Sequence, residues 1–425
     1  MLTNLFSVIG GLFFVVLSFF GFHQGIPSVK TAEILPCGSN IHDSEYPFHY
    51  CTKATGVYSI GLNGLSLISG ADPKSFVFIK DPPSIGRYTN TYELSKDKNH
   101  VYYENDFANT EVLPDADPST FKFIGMIGGG NLIVGDKNNI YYWVNYLSNK
   151  QGDENHLNFV QLVGADGGTF SLLRDASGQV SYYAKDKNHV YFSEQHPNDT
   201  VDNAIRIVTG ADLKTFTAIL PQNVSTNRYQ YDQSLFARDN QHLFLSGLIV
   251  PGADPNSISQ INGYASCKSC GFFNTDYLRD HSHVYLETNT QDGTPTLLPI
   301  KDADPATFSV IVWTLTTKDI SDLTPNADFF SPYDKDATHV WYFDGSADGW
   351  PIDQISGADP TSFTKVGMIG SDEQGYDFYA KDKNHVYYDE NLLLSADPAT
   401  FILKVTNNSD AQDKNHTYFK GVIVQ

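Results

Sequence analysis

Two short motifs alternate along this chain, and that internal repeat limits its folds more than any other feature. The first, Gly-Ala-Asp-Pro-x-Ser/Thr-Phe, begins at Gly70, Asp115, Gly164, Gly210, Gly252, Asp302, Gly357 and Ser395. The second, Asp-Lys-Asn-His-Val-Tyr-Tyr, begins at Asp97, Asp136, Asp186, Asp239, Asp280, Asp336, Asp382 and Asp413. A worn copy, Lys53-Ala54-Thr55-Gly56-Val57-Tyr58, precedes the first pair. From Asp72 to Asp397 the mean period is about 46 residues, and periods of roughly 20 to 50 mark stacked or radially arranged supersecondary units. A chain of 425 residues exceeds the usual single core, so a repeated unit also answers the question of size.

Each motif has a local physical reading. Strand-forming residues flank Asp382-Lys383-Asn384, which is a hairpin signal. The Asp side chain can accept a backbone N–H two residues on, and Asn tolerates the left-handed conformation of tight turns. Beyond the turn the side chains alternate, so Val386 and Tyr388 share one face and His385 and Tyr387 the other. In Asp397-Pro398-Ala399-Thr400-Phe401 the Asp suits a cap and the Pro a first helical position. One helical turn would then present Phe401 to the core, with Ile402, Leu403 and Val405 starting the next strand. Aromatic residues make up 13% of the chain and charged residues only 18%, a balance that favours pleated, half-buried strands.

The expected fold is therefore an all-β repeat array over residues 50–425. Three or four strands per period is the content of a blade, which points to a β-propeller of about 7–9 short blades. The alternative is an open β-solenoid or elongated stack of β-meander units. The Asp-Lys-Asn-x-x-Tyr-Tyr repeats resemble those of the bacterial DKNYY family, over roughly residues 50–425. Asp239-Asn240-Gln241-His242 and Asp280-His281-Ser282-His283 depart from the pattern, as do Gly167 and Leu213 at the proline and Ile258 at the phenylalanine. The resemblance implies no established activity and no catalytic residues.

The amino terminus carries a topogenic signal. Leu5 to Phe22 is one apolar run without charge, at the lower edge of a membrane span and longer than a usual signal-peptide core. Residues 1–32 read as a signal peptide cut near Ala32 or as an uncleaved membrane anchor. The missing positive segment before the run, and Lys30 where a small residue is wanted, lean towards the anchor. Both readings place the rest outside the cytoplasm. Residues 33–49 read as a linker, in which a Cys37–Cys51 disulfide would close a short loop. Cys267 and Cys270 form a lone CxxC; a loop disulfide is preferred over metal or redox chemistry, for want of further ligands or a strand-to-helix context.

The net charge of −21 opposes nucleic acid and anionic lipid, so contact with membrane is expected only through the N-terminal segment. Seven of the 13 histidines occupy one repeat position: His100, His189, His242, His283, His339, His385 and His416. They suit metal binding or a pH switch, but a residue present in every unit usually serves the unit's own fold. The motif aspartates are explained by turn and cap chemistry, and no Asp-x-Asp-x-Asp calcium loop occurs. No nucleophile elbow, zincin motif or phosphate loop is present, and no cofactor is expected. Of the tryptophans, Trp341 stands at a repeat core position, and Trp350, in an insertion, is the candidate contact for a ligand.

These features favour an extracytoplasmic, non-catalytic scaffold or binding protein of the cell envelope, anchored or secreted, with a protein or glycan partner at the cell surface. A propeller-type hydrolase or lyase acting on an extracellular polymer is the first alternative, with a pocket built from the insertions at 145–158, 262–274 and 344–353. A metal-binding envelope protein using the repeated His is the second.

Overall fold

The computed structural model describes residues 30–33, 36–37, 50–61, 64–80, 94–104, 110–128, 131–145, 157–193, 205–220, 235–266, 274–289, 294–314, 328–343, 352–372, 375–406 and 408–424. Among them the regular elements are β-strands, with no α-helix. The strands form nine antiparallel sheets, one per period, numbered here 1 to 9 in chain order. The chain is an all-β repeat protein. It divides into two compact units, Met1–Met126 with Leu132–Gly168, and Ile127–Asn131 with Thr169–Gln425.

Sheet 8 shows the plan of one period. Its strands are Thr364–Asp372, Gly375–Lys381, Val386–Tyr388 and Asn391–Leu392, each paired with the next. The Gly-Ala-Asp-Pro connector precedes the first strand, and the Asp-Lys-Asn-His turn joins the second to the third. Lys381 pairs with Val386 across that turn, and the Asp382 N–H donates to the His385 carbonyl at 3.0 Å. Val386 and Tyr387 are both fully buried, so this strand is covered on both faces.

The connector is the single turn its motif predicts. Its helical i→i+4 bond runs from the Phe401 N–H to the Asp397 carbonyl at 3.0 Å. Asp397 still caps it, with Oδ1 accepting the Ala399 N–H at 3.0 Å. The chain leaves after this turn because Phe401 must enter the core and the next strand begins one residue later. The first connector position is left-handed, with φ +81° at Gly70 and +79° at Gly357, which explains its preference for glycine.

In the first unit, sheet 1 has three strands, Tyr50–Lys53, Gly56–Gly61 and Gly64–Leu67, so the worn motif does form a hairpin. Cys37 is bonded to Cys51 on its first strand, and Pro36 bridges Thr52. Sheet 2 gains an extra strand, Lys30–Glu33, beside Val77–Lys80. That strand crosses residue 32, where the sequence reading put the end of the targeting segment. The second unit contains sheets 4 to 9.

The core between neighbouring sheets is aromatic. The connector phenylalanine sits between two rings, one from the sheet before and one from its own sheet. Phe216 meets Tyr183 and Phe244 at 5.4 and 5.2 Å. Phe308 meets Tyr277 and Trp341 at 5.2 and 5.5 Å. Phe363 meets Tyr333 and Tyr387, and Phe401 meets Tyr379 and Tyr418. In the first unit Phe76 lies likewise between Tyr50 and Tyr102. Centroid distances near 5 Å with tilted planes are favourable for ring quadrupoles.

Candidate functional site

The repeated polar residues converge on one hub per period. In sheet 2, Asp97 is buried, and its Oδ1 accepts the N–H groups of Asn99 and His100 at 2.6 and 2.7 Å. Its Oδ2 accepts the N–H of Asp72, in the connector, at 2.8 Å and the Tyr102 hydroxyl at 2.9 Å. One carboxylate thus shapes its own turn and holds a connector 25 residues earlier. Burial alone would push the Asp97 pKa up. The amides of Asp72, Asn99 and His100, with the Tyr102 hydroxyl, outweigh it and hold the group below its usual range.

Asp72 closes the other half of the hub. Its Oδ2 accepts the Ser75 hydroxyl at 2.8 Å and pairs with Lys98 Nζ at 2.9 Å. The Lys98 ammonium, the Ser75 hydroxyl and the Lys74 amide lower its pKa to about 2. Ser75 Oγ also accepts the Lys98 N–H at 3.1 Å. The same serine or threonine bond recurs in sheet 8, from Lys383 to Ser362, and in sheet 9, from Lys414 to Thr400. The motif therefore uses a hydroxyl at this position, and a lysine after the turn aspartate adds an ion pair. Where lysine is lost, His281 takes its place against Asp254 at 3.0 Å.

Hubs with the same bonds form around Asp280, Asp382 and Asp413. Asp239 and Asp336 keep the connector amide but face Phe244 and Trp341 instead of a phenol. At Asp136, Asn139 stands in the histidine position, and the Tyr141 hydroxyl donates instead to the Pro114 carbonyl at 2.5 Å.

The histidines sit at the rim of these hubs. Nδ1 lies 3.3 Å from the hydroxyl of Tyr102 at His100, 3.4 Å from that of Tyr191 at His189, and 3.4 Å from that of Tyr387 at His385. His242 instead places Nδ1 3.4 Å from Asp239 Oδ2. These four imidazoles thus serve their own hairpins. Among the described residues no group of three or more His, Cys, Asp or Glu side chains is placed to hold a metal.

Two further devices were not anticipated from the sequence. The residue before the turn aspartate reaches forward to the next connector. Lys96 Nζ donates to the Pro118 carbonyl at 2.8 Å, Lys335 to Pro360 at 2.9 Å and Lys381 to Pro398 at 2.8 Å. Arg279 does the same to Pro305 at 2.6 Å. The residue three before the aspartate is a buried tyrosine in sheets 4, 6, 7 and 8, and its hydroxyl crosses to the following sheet. Tyr183 donates to the Leu235 carbonyl and accepts the Gly247 N–H. Tyr333 donates to the Asp389 carbonyl at 2.8 Å. Tyr379 donates to Asp410 Oδ1 and accepts the Gly421 N–H, both at 2.8 Å. Tyr277 meets Asp334. Recurrence at a fixed offset was the available signal for both devices.

Trp341 is in the core, as its repeat position suggested. Trp350, Cys267, Cys270 and the apolar run Leu5–Phe22 lie outside the described residues, as do most residues of the three insertions. No helix among the described residues is long and apolar enough to cross a membrane.

Fold and hubs together define an all-β repeat protein in which one motif pair builds each of sheets 2 to 9. The DKNYY family model matches residues 88–145 and 107–422, and the chain belongs to the DKNYY family. Neither the curated proteins nor the solved structures provide a match.

Proposed function

We propose that this chain is a non-catalytic repeat scaffold or binding protein displayed outside the cytoplasm and held at the membrane by Leu5–Phe22. The observation that carries this reading is how the repeated polar residues are used. Asp97, His100, Tyr102, Asp72, Ser75 and Lys98, and their equivalents, hold the hairpin and its connector together. Conserving such residues through the array serves its cohesion, and that leaves specificity to the variable segments between hubs. A protein or glycan at the cell surface is the partner class that suits an acidic, extracytoplasmic array.

Two details support export and retention of the anchor. Cys37 and Cys51 form a disulfide, which suits an oxidising compartment. The strand Lys30–Glu33 pairs with Val77–Lys80, so a cut near Ala32 would split an element of sheet 2. The test is a reporter that is active only outside the cytoplasm, fused after Gln425, combined with alkaline extraction of membranes. Activity with retention in the membrane pellet supports the anchored reading. Activity with release supports a cleaved signal, and a reporter active only in the cytoplasm ends the proposal.

A further inference from the structure

The tyrosine that crosses between sheets meets a neutral acceptor or a fully engaged carboxylate at three of its four sites. Tyr183 and Tyr333 donate to backbone carbonyls. Tyr379 donates to Asp410, whose other oxygen accepts the Lys420 N–H. The fourth site, between sheets 6 and 7, differs. There the Tyr277 hydroxyl meets Oδ2 of Asp334, and Asp334 Oδ1 is buried without a hydrogen-bond partner. Asp334 is 2% exposed, and its register partners are Val310 and Trp341.

Among the described residues no cation pairs with this carboxyl. The neighbouring strand Asn274–Arg279 carries Asp276, Tyr277 and Arg279, and Ser259–Ser266 carries Tyr264. Ser309–Thr314 has no ionisable side chain, and Val340–Phe343 has Tyr342. On its own strand Asp334 has Asp328, Tyr333 and Lys335. Of these the Tyr277 hydroxyl reaches the carboxyl, together with the Ile311 amide. An ionised carboxylate with one bare oxygen in such a site is far more costly than a neutral carboxyl.

We infer that Asp334 and Tyr277 form a proton-dependent clasp between sheets 6 and 7, closed while the carboxyl is protonated and loosened when it ionises. Burial raises the Asp334 pKa from 3.8 to about 7, despite the opposing hydrogen bonds from Tyr277 and Ile311. An acid that holds its proton more tightly when packed favours the closed interface below its exposed pKa. That advantage drains away as pH rises from about 4 to about 7 and stays constant above.

Hydrogen exchange on the full chain tests this, with protection corrected for the intrinsic pH dependence. In peptides covering 274–279 and 328–335, protection should fall about tenfold per pH unit between about 4 and 7, relative to Asp334→Asn. Peptides covering 375–381 and 409–412 should show no such difference. Tyr277→Phe removes a bond that favours ionisation, so the upper end of the transition should move to higher pH. If Asp334→Asn does not fold, infrared titration of the wild type decides instead. A protonated-carboxyl band that persists at pH 6 and fades by pH 8 supports the clasp. Identical protection profiles in wild type and Asp334→Asn, or no such band at pH 6, would overturn it.

Discussion

Asp382 accepts the backbone N–H of Asp359 at 2.9 Å through the same oxygen that accepts the Tyr387 hydroxyl. A buried charge thereby joins two motifs 23 residues apart. It is tolerable because four donors surround it, those of Asn384 and His385 completing the set.

Replacing Asp382 by Leu should destabilise sheet 8 by about 2–4 kcal/mol, since it strands several buried donors. Tyr387→Phe removes one partner only and should cost about 1 kcal/mol. Local opening energies from hydrogen exchange in residues 375–388 would measure both. Equal costs would contradict the hub.

Acid should undo the hubs together. Asp97, Asp239, Asp280, Asp336, Asp382 and Asp413 are each pushed up by burial but held below 3.8 overall by backbone amides. Their stabilisation is complete above the unfolded value and lost as pH falls through the folded values. In an Asp334→Asn background, the urea midpoint should be level from about pH 5 to 8 and drop below about pH 4. A midpoint that rises on acidification would refute this.

Tyr379→Phe should loosen sheet 9 selectively. It removes the phenol from the Gly421 N–H and from Asp410 Oδ1, at a cost of about 2–3 kcal/mol. Repeat arrays couple mainly through nearest neighbours. Exchange should therefore quicken in residues 409–424 and stay unchanged in residues 235–250.

Restoring the motif proline at Gly167 should harm the protein. A Cβ there would lie 2.2 Å from the Asp136 carbonyl oxygen and 2.9 Å from the Asn139 nitrogen. The preceding period also has Gly135 where most others place lysine or arginine, and a Cβ there would meet the Asn139 carbonyl oxygen at 2.5 Å. Gly167→Pro should lower stability by about 1–3 kcal/mol through overpacking, measured as a lower urea midpoint. A rise would show that the close approach is dispensable.

Much of this was readable locally. Asp-Lys-Asn reports its own turn because Asp97 Oδ1 bonds amides two and three residues away. Phe401 enters the core as its motif suggested. What Asp97 Oδ2 does was hidden, because its partner Asp72 belongs to the other motif and only the folded chain brings them together. The single helical turn expected at Asp397-Pro398 is present, and it ends there because a strand must start at Ile402. Tyr183, Tyr277, Tyr333 and Tyr379 recur at one offset, yet their acceptors share no sequence pattern, two being backbone carbonyls and two carboxylates each particular to one period.

Lys381 grips the connector ahead of its hairpin while Asp382, its neighbour, grips the one behind. Two consecutive residues therefore bind three successive segments of chain. A duplication or loss that cuts within a period separates these grips from their targets, whereas one that removes a complete motif pair restores both grips to new neighbours. Such a gene can lengthen or shorten by unequal crossing-over in whole steps of about 46 residues.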